Sequence, residues 1–334
     1  MIHDIAPKTI NNHYDPARRP AADSYVLSYS GGNVLSMLEE AAPGTPGTPV
    51  KSEQPLQLVL PTLADLKTTW QQIGEADEEK AAAFEDALIY LFSIDEDMYF
   101  LAEPDLFSEV DYPKAEGMAL DAAQAACEAS AAVGIGGWAY LNPRFMRQYL
   151  KEPKDQVFAV LTGVQLARWY HNNRYCGRCG AKTHLDTKER MIRCPACGNM
   201  IFPKVQPAVI IAVTNGDKLL LTKYADRPHK AFALVAGFVE IGETLEECVQ
   251  REVMEEVGMR VSNIRYYKSQ PWGIDDDLLA GFFCDVDGDD TIHLDHQELK
   301  EGAWMTREDV PGEPDDYSLT NEMMMLFKAG KEPR

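Results

Sequence analysis

A chain of 334 residues, 45% of them hydrophobic, carries enough apolar side chain for two or three domains with real cores, which excludes a disordered chain. Its formal net charge of -21 at pH 7 excludes broad adhesion to nucleic acid or anionic membrane, because phosphate groups are held mainly by Lys and Arg. No apolar run approaches the roughly 18 residues that read as a membrane span; the longest candidates, Ala208 to Val213 and Leu219 to Leu221, have strand length.

From Met1 to Pro55 the chain is polar and punctuated, ending in AAPGTPGTPVKSEQP, a flexible Pro/Gly segment near 41-55. The opening MIHDIAPKTINNHYDPARRP lacks the apolar middle of a secretory leader and the closing KEPR matches no address, so a cytoplasmic location and no membrane partner are expected. Leu56 to Leu60 and Met98 to Leu101 read as strands, Glu78 to Leu91 and Leu120 to Ala132 as helices. An α+β N-terminal domain over 1-154 follows, with no recognisable site.

Asp155 to Asn173 reads as a helix leading into YCGRCGAKTHLDTKERMIRCPACGNMIFP, and helix and ribbon together make a unit over 155-201. Cys176 and Cys179 form one C-x-x-C pair, Cys194 and Cys197 a second, with fourteen residues between the pairs. Two such knuckles suit one tetrahedral Zn2+, and four cysteine ligands leave no open position for catalysis, so the ion is structural. A redox pair would need only one such motif, in a strand-to-helix turn. The other cysteines, Cys127, Cys248 and Cys284, sit in apolar contexts and read as core; seven in all, an odd number, suits a reducing compartment. Arg168, Arg174, Arg178, Lys182, Lys188, Arg190, Arg193 and Lys204 make this neighbourhood basic. They either offset the thiolates or guide a phosphate-rich substrate such as an RNA end.

Beyond Pro203 come PAVIIAV and KLLLTKY, joined through Asn215-Gly216, a hairpin signal in which both turn residues tolerate positive φ. A helix follows from Leu245 to Val257, opened by the capping-box pair Thr244 and Glu247 and closed by Gly258. Leu245, Cys248 and Val249 mark its inward face, and Glu252, Glu255 and Glu256 project within about 100° of one another. Like charges at that spacing repel, and glutamates near a helix C-terminus oppose its dipole. Either the run is a solvated acidic face or a hard divalent cation sits there.

The stretch as a whole reads GFVEIGETLEECVQREVMEEVGM, from Gly237 to Met259, and resembles the Nudix box at every defining position. The resemblance implies an α/β fold, the Nudix α/β/α sandwich with a mixed sheet over 202-334, preceded by the four-cysteine zinc ribbon. It also implies hydrolysis of a nucleoside-linked diphosphate with two or three Mg2+ or Mn2+ ions. By the same resemblance Glu252, Glu255 and Glu256 are metal ligands, one of them also a base, Arg251 holds a glutamate in place, and Glu243 is either a structural partner of the loop or a further metal ligand.

Ser269-Gln270-Pro271-Trp272 follows the box and, with the four-cysteine ribbon, resembles the SQPWPFPxS signature of the NADH pyrophosphatase branch. After SQPW this chain has GIDDD, Gly273 to Asp277, which is expected to loosen the loop and to put the charge of Asp277 near the substrate. The resemblance implies that Phe238 and Trp272 sandwich a base, with Gln270 part of the same binding stretch. It further implies that Phe202 keeps a ring contact, that Glu298 is a later metal ligand, that Thr320 meets substrate through its backbone, and that the protein is a homodimer. His229, His293 and His296 read as structural or solvated. NAD(H), cleaved to AMP and nicotinamide mononucleotide, is the expected substrate, together with NAD-capped RNA 5′ ends. The alternatives are a Nudix diphosphatase of ADP-ribose, a nucleotide sugar or another dinucleotide, and a non-catalytic nucleotide-sensing regulator.

Overall fold

The computed structural model describes residues 1–41, 56–72, 78–102, 111–115, 119–150, 152–225, 232–295 and 298–333. Apart from Ala41, the Pro/Gly segment near 41-55 lies outside them. The chain divides into two compact units: Asp4–Lys204 with Gly273–Asp275, and Met1–His3 with Val205–Trp272 and Asp276–Arg334.

The first unit contains strands β1 (Ile10–Asn11), β2 (Tyr25–Ser30), β3 (Asn33–Glu40), β4 (Leu56–Val59), β5 (Ile89–Ile94), β6 (Asp97–Ala102) and β7 (Ala139–Leu141). They form a seven-stranded sheet in the order β1-β5-β6-β2-β3-β4, with β7 on β3 and with β2 parallel to β6. Around it lie α1 (Leu63–Gln72), α2 (Glu78–Ala87), α3 (Leu120–Ala132), α4 (Pro143–Phe145), which runs into a π-helical turn at Met146–Leu150, and α5 (Lys154–Asn172). The helix expected over Glu78 to Leu91 therefore stops at Ala87. The next residues, IYLFSI, are β-branched and aromatic, suit a strand, and are buried between β1 and β6, where Tyr90 meets Phe100 and Phe92 stacks on Tyr99.

Helix α5 seats closely on β2: the Tyr29 hydroxyl donates to the Val160 carbonyl at 2.8 Å, and a side chain at Gly163 would strike Leu27 and Tyr29. The ribbon strands β8 (His184–Leu185), β9 (Ile192–Arg193) and β10 (Met200–Ile201) form a separate small sheet. Helix and ribbon fall in the same compact unit as the N-terminal sheet. Tyr14 donates to the Asp186 carbonyl at 2.6 Å, and Arg190 lies over the Tyr14 ring while donating to the Leu91 carbonyl at 2.5 Å, which joins the ribbon to the N-terminal sheet.

The second unit contains β11 (Gln206–Asn215), β12 (Lys218–Tyr224), β13 (Val235–Phe238), α6 (Leu245–Val257), β14 (Val261–Trp272), β15 (Asp277–Val286), β16 (Leu299–Thr306) and α7 (Leu319–Lys328). Its six-stranded sheet runs β14-β15-β11-β12-β16, with β13 on β11. Only β11 and β15 pair in parallel among these strands, so the sheet is mixed. Both faces are covered, and β11 records this in its alternation: Val209, Ile211 and Val213 join Val249 and Val253 of α6, while Ile210 and Ala212 join Met323 and Phe327 of α7. This is the expected α/β/α sandwich. The β11–β12 turn differs in detail from the expectation. Asn215 pairs with Lys218 inside the ladder, and Gly216, with φ of 59°, is the first turn residue, the pattern of a Gly-led type II′ turn.

Candidate active site

Helix α6 begins with the expected capping box: the Thr244 hydroxyl accepts from the Glu247 N–H at 3.2 Å and the Glu247 carboxylate accepts from the Thr244 N–H at 2.8 Å. It ends at Gly258 in the left-handed region, φ 73°, where a Cβ would strike His293. The neighbouring segment then closes the helix end, as the His293 and Asp295 N–H groups donate to the Val257 and Glu256 carbonyls, each at 3.0 Å. That path brings Glu298, at the foot of β16, near enough to Glu252 for its charge to act there.

The three glutamates do not share one ridge. Glu256 is 2% exposed among Val249, Val253 and Val257, Glu252 keeps 12% of its side chain exposed, and Glu255 points outward with 60% exposed. One helical turn separates Glu252 from Glu256 on the protein side, and Glu255 lies about 100° round.

Arg251 ties the outer members together. Its Nε and Nη2 donate to the two oxygens of Glu243 at 2.8 and 2.9 Å, Nη1 donates to Glu252 at 2.7 Å and to Glu255 at 3.0 Å, and Nη2 also reaches the Phe238 carbonyl at 2.9 Å. The Glu240 N–H adds a bond to Glu243 at 3.0 Å. Arg251 and that N–H hold the Glu243 carboxyl down at about 2, and Glu243 in turn raises the already high pKa of Arg251. Glu252 moves the other way. Burial raises it, Arg251 pulls it down by less, and the charges of Glu255 and Glu298 raise it further.

Gly237, in β13, faces this group. Any side chain there would fall on the Glu252 carboxyl, so the backbone of β13 forms a cradle for it. Phe238, next along, is 53% exposed.

In the other unit, all four cysteine sulfurs lie within 4.8 Å of one another, with Cys176 and Cys197 at 3.7 Å and Cys179 and Cys194 at 3.5 Å. Two sulfurs each about 2.3 Å from a tetrahedral zinc would be about 3.8 Å apart, so the set fits that ion. Backbone N–H groups of the knuckles, led by Arg178 for Cys176 and Cys197 for Cys194, favour the thiolate forms.

Residues 204–323 match the family model for the NUDIX domain, and residues 171–202 match that for the NADH pyrophosphatase zinc ribbon domain. Over 192 residues the chain is 35% identical to the NAD-capped RNA hydrolase NudC of Chromobacterium violaceum, a match covering 57% of this chain and 69% of that protein. This chain belongs to the NADH pyrophosphatase branch of the Nudix superfamily. The NAD-capped RNA hydrolase NudC of Shigella flexneri is 40% identical over 45% of this chain and 58% of its own length, so the chain spans under two thirds of that relative. A crystallised Nudix hydrolase from Nitrosomonas europaea matches with 25% identity and a TM-score of 0.34, over 41% of this chain and 80% of its own.

The acidic donors fit the divalent metal that a Nudix domain implies. Glu252, Glu255, Glu256 and Glu298 offer hard oxygens, and the Gly237 backbone and Arg251 hold the Glu252 carboxylate in place. Among the described residues only the four cysteines bring three or more such ligand atoms within 4.8 Å of one another, so the glutamates do not close a metal cage by themselves.

The remaining Nudix candidates are more scattered. Trp272 ends β14, half-buried and paired with Asp277 across the hairpin. Phe202 is 54% exposed and belongs to the first unit. Gln270 is fully buried, and both amide ends are used: Nε2 donates to the Tyr317 carbonyl at 2.9 Å and Oε1 accepts from the Leu319 N–H at 2.8 Å. It clasps the start of α7 and so sets the position of Thr320, but presents no open amide of its own. Asp277 is 8% exposed, with Gln206 3.5 Å away, so its carboxylate is not displayed to solvent.

Replacing the prolines with GIDDD was expected to loosen the loop, and the structure corrects this. Gly273–Asp275 belong to the first unit, where Arg168 donates to the Gly273 and Ile274 carbonyls at 2.6 and 2.8 Å, Arg144 pairs with Asp275, and Gly273 lies so close to the Leu161 carbonyl that a side chain would not fit. Cys127, Cys248 and Cys284 are buried as expected, and burial pushes the Cys248 and Cys284 thiols up to about 12. His293 is exposed, while His229 and His296 lie outside the described residues. Sequence reading missed the cradle at Gly237 and the closing segment at His293–Asp295. The glycines at both ends of the box were the available signal.

Proposed function

We propose that this protein hydrolyses the diphosphate bridge of NAD(H) to AMP and nicotinamide mononucleotide, and that it accepts the same bond in NAD-capped RNA 5′ ends. One observation carries the reading: a buried Glu256 one turn from a half-buried Glu252, beside an arginine that anchors Glu243 and Glu255. Relatives named as NAD-capped RNA hydrolases, and the ribbon of the NADH pyrophosphatases, support the choice of substrate.

Mg2+ or Mn2+, two or three ions held by Glu252, Glu255, Glu256 and Glu298, would neutralise the bridge and lower the pKa of the attacking water. The protein's own groups divide the remaining work. Glu243, held at about 2, is too weak a base to take a proton and serves as the fixed anchor of Arg251. One of Glu252, Glu255 and Glu256 takes the proton of the attacking water. Phe238 and Trp272 offer aromatic faces for a base, Phe202 a further ring contact, and Thr320 a backbone contact at the start of α7. The cofactor set is completed by one structural zinc. We place the protein in the cytoplasm as a homodimer; its seven free cysteines support the reducing compartment, and light scattering tests the dimer. No helix among the described residues is long and apolar enough to cross a membrane.

The test is a substrate panel of NADH, NAD+, ADP-ribose and NAD-capped RNA with each metal, using Glu256→Gln as control. Release of AMP and nicotinamide mononucleotide, abolished in the variant, is expected. Turnover of ADP-ribose alone would favour the other diphosphatase reading. Binding without products throughout would favour the regulator.

A further inference from the structure

A cleft of about 410 Å³ lies in the first unit where the ribbon, the end of α5 and β5 meet. Its volume falls in the range of small-ligand sites, roughly 300–1,000 Å³. On the floor Tyr170 and Ile192 are buried, and the Thr183 hydroxyl donates to the Asn173 carbonyl at 2.6 Å. The rim is Arg174, Tyr175, Lys182, His184 and Leu185, and among the described residues that line the cleft none is acidic.

That absence is informative in a chain with net charge -21. Between Arg168 and Lys204 the sequence holds eight Lys and Arg against only Asp186 and Glu189; even after four thiolates around one divalent ion remove two charges, a net of +4 remains. Offsetting the thiolates therefore does not use up the basic residues. Tyr175 is 65% exposed and bridges by backbone to Lys182, so an aromatic face and a cation occupy paired positions on the rim. Solvent exposure of a tyrosine ring beside cations is the combination that holds single-stranded nucleic acid, with bases on the ring and phosphates on the cations.

We infer that this ribbon cleft binds a short single-stranded RNA segment by stacking on Tyr175 and by phosphate contacts to Lys182 and Arg174. The site deepens the reading that capped RNA is a substrate and rests on it for its purpose. Its binding chemistry is separate from diphosphate hydrolysis.

The experiment measures fluorescence anisotropy of a short uncapped RNA strand on the full-length protein across a salt series, with NADH turnover and zinc content measured on the same samples. Lys182→Glu is expected to weaken binding about 10-fold or more and to lower the salt slope by about 0.7, one phosphate contact. Tyr175→Ala is expected to weaken it by about 10-fold, with Tyr175→Phe close to wild type. NADH turnover and zinc content should stay unchanged in all three. Absence of RNA binding by the wild type overturns the inference. So does full binding by Tyr175→Ala, which would reduce the effect to diffuse charge, and so does loss of NADH turnover in step with RNA binding. A protein that binds the strand but leaves NADH intact would instead count against the proposed hydrolysis.

Discussion

Arg251 and Glu243 meet through two parallel hydrogen bonds, Nε to one carboxylate oxygen at 2.8 Å and Nη2 to the other at 2.9 Å, eight residues apart across the start of α6. Only a guanidinium makes this fork while keeping its other nitrogen on Glu252 and Glu255. Lysine preserves the charge but not the fork. Arg251→Lys is expected to leave a folded protein whose activity falls about 10- to 100-fold, because the glutamates proposed to take metal lose their positioning. Steady-state kinetics with a metal titration, beside a thermal melt, checks this. Unaltered kcat would remove the anchoring role.

The same pair sets an acid limit. Glu243 lies at about 2 in the folded protein against an ordinary 4.5, so its contribution to stability is fully present above about 4.5 and is lost as pH falls toward 2. Glu243→Gln should abolish that part of the pH dependence and flatten the denaturant midpoint between about pH 4.5 and pH 2 relative to wild type. Parallel midpoints in the two proteins over that window would show that Glu243 is not held by Arg251 in solution.

Local signals explain what could be read before the structure. The capping box at Thr244 and Glu247, Gly258 at the other end, and the two C-x-x-C pairs act within a few residues and resolve as written. The end of α2 could not be read, because Ile89–Ile94 become a strand only through β1 and β6, one of them nearly eighty residues away in sequence. Helical angle grouped Glu252, Glu255 and Glu256, but burial, which is a tertiary property, separated them to 12%, 60% and 2% exposure. Likewise the fate of GIDDD depends on Arg168 and Leu161, more than a hundred residues earlier.

Gly237 carries a prediction of its own. A methyl group there falls on the Glu252 carboxyl, which must either leave Arg251 or push β13 away. Gly237→Ala should therefore destabilise the protein by about 1–3 kcal/mol through overpacking and weaken metal affinity more than a stability change alone would. Isothermal titration with Mn2+ and a urea melt on the same sample separate the two effects. Wild-type metal affinity would count against the cradle.

Zinc should be present at one ion per chain. With sulfurs 3.5 to 3.7 Å apart across the site, removing a single ligand breaks a closed tetrahedral set. Cys194→Ser, at a buried position, is expected to abolish zinc in elemental analysis and to lower the melting temperature, and a chelator should do the same to wild type. Zinc retained by Cys194→Ser would refute the four-cysteine site.

Gln270 gives the sharpest separation of support from contact. Its side chain is wholly buried and joins β14 to the two backbone groups, Tyr317 carbonyl and Leu319 N–H, that lead into α7. Gln270→Leu keeps much of the volume but takes the acceptor from the Leu319 N–H, while the Tyr317 carbonyl keeps its bond from the Ile2 N–H at 3.1 Å, so one unsatisfied group costs about 1–3 kcal/mol. Urea unfolding measures this loss of about 1–3 kcal/mol. Thr320, the proposed backbone contact to substrate, lies one residue past the clasp, so KM should rise as the turn into α7 loosens, while kcat, which the proposed mechanism assigns to the α6 glutamates, changes less. Gln270→Glu discriminates further: an ionised carboxylate can accept from Leu319 but cannot donate to Tyr317, and it places a charge in the core. If Gln270→Leu proved as stable as wild type and yet failed to bind substrate, the side chain would be a direct substrate contact, and the clasp would be secondary.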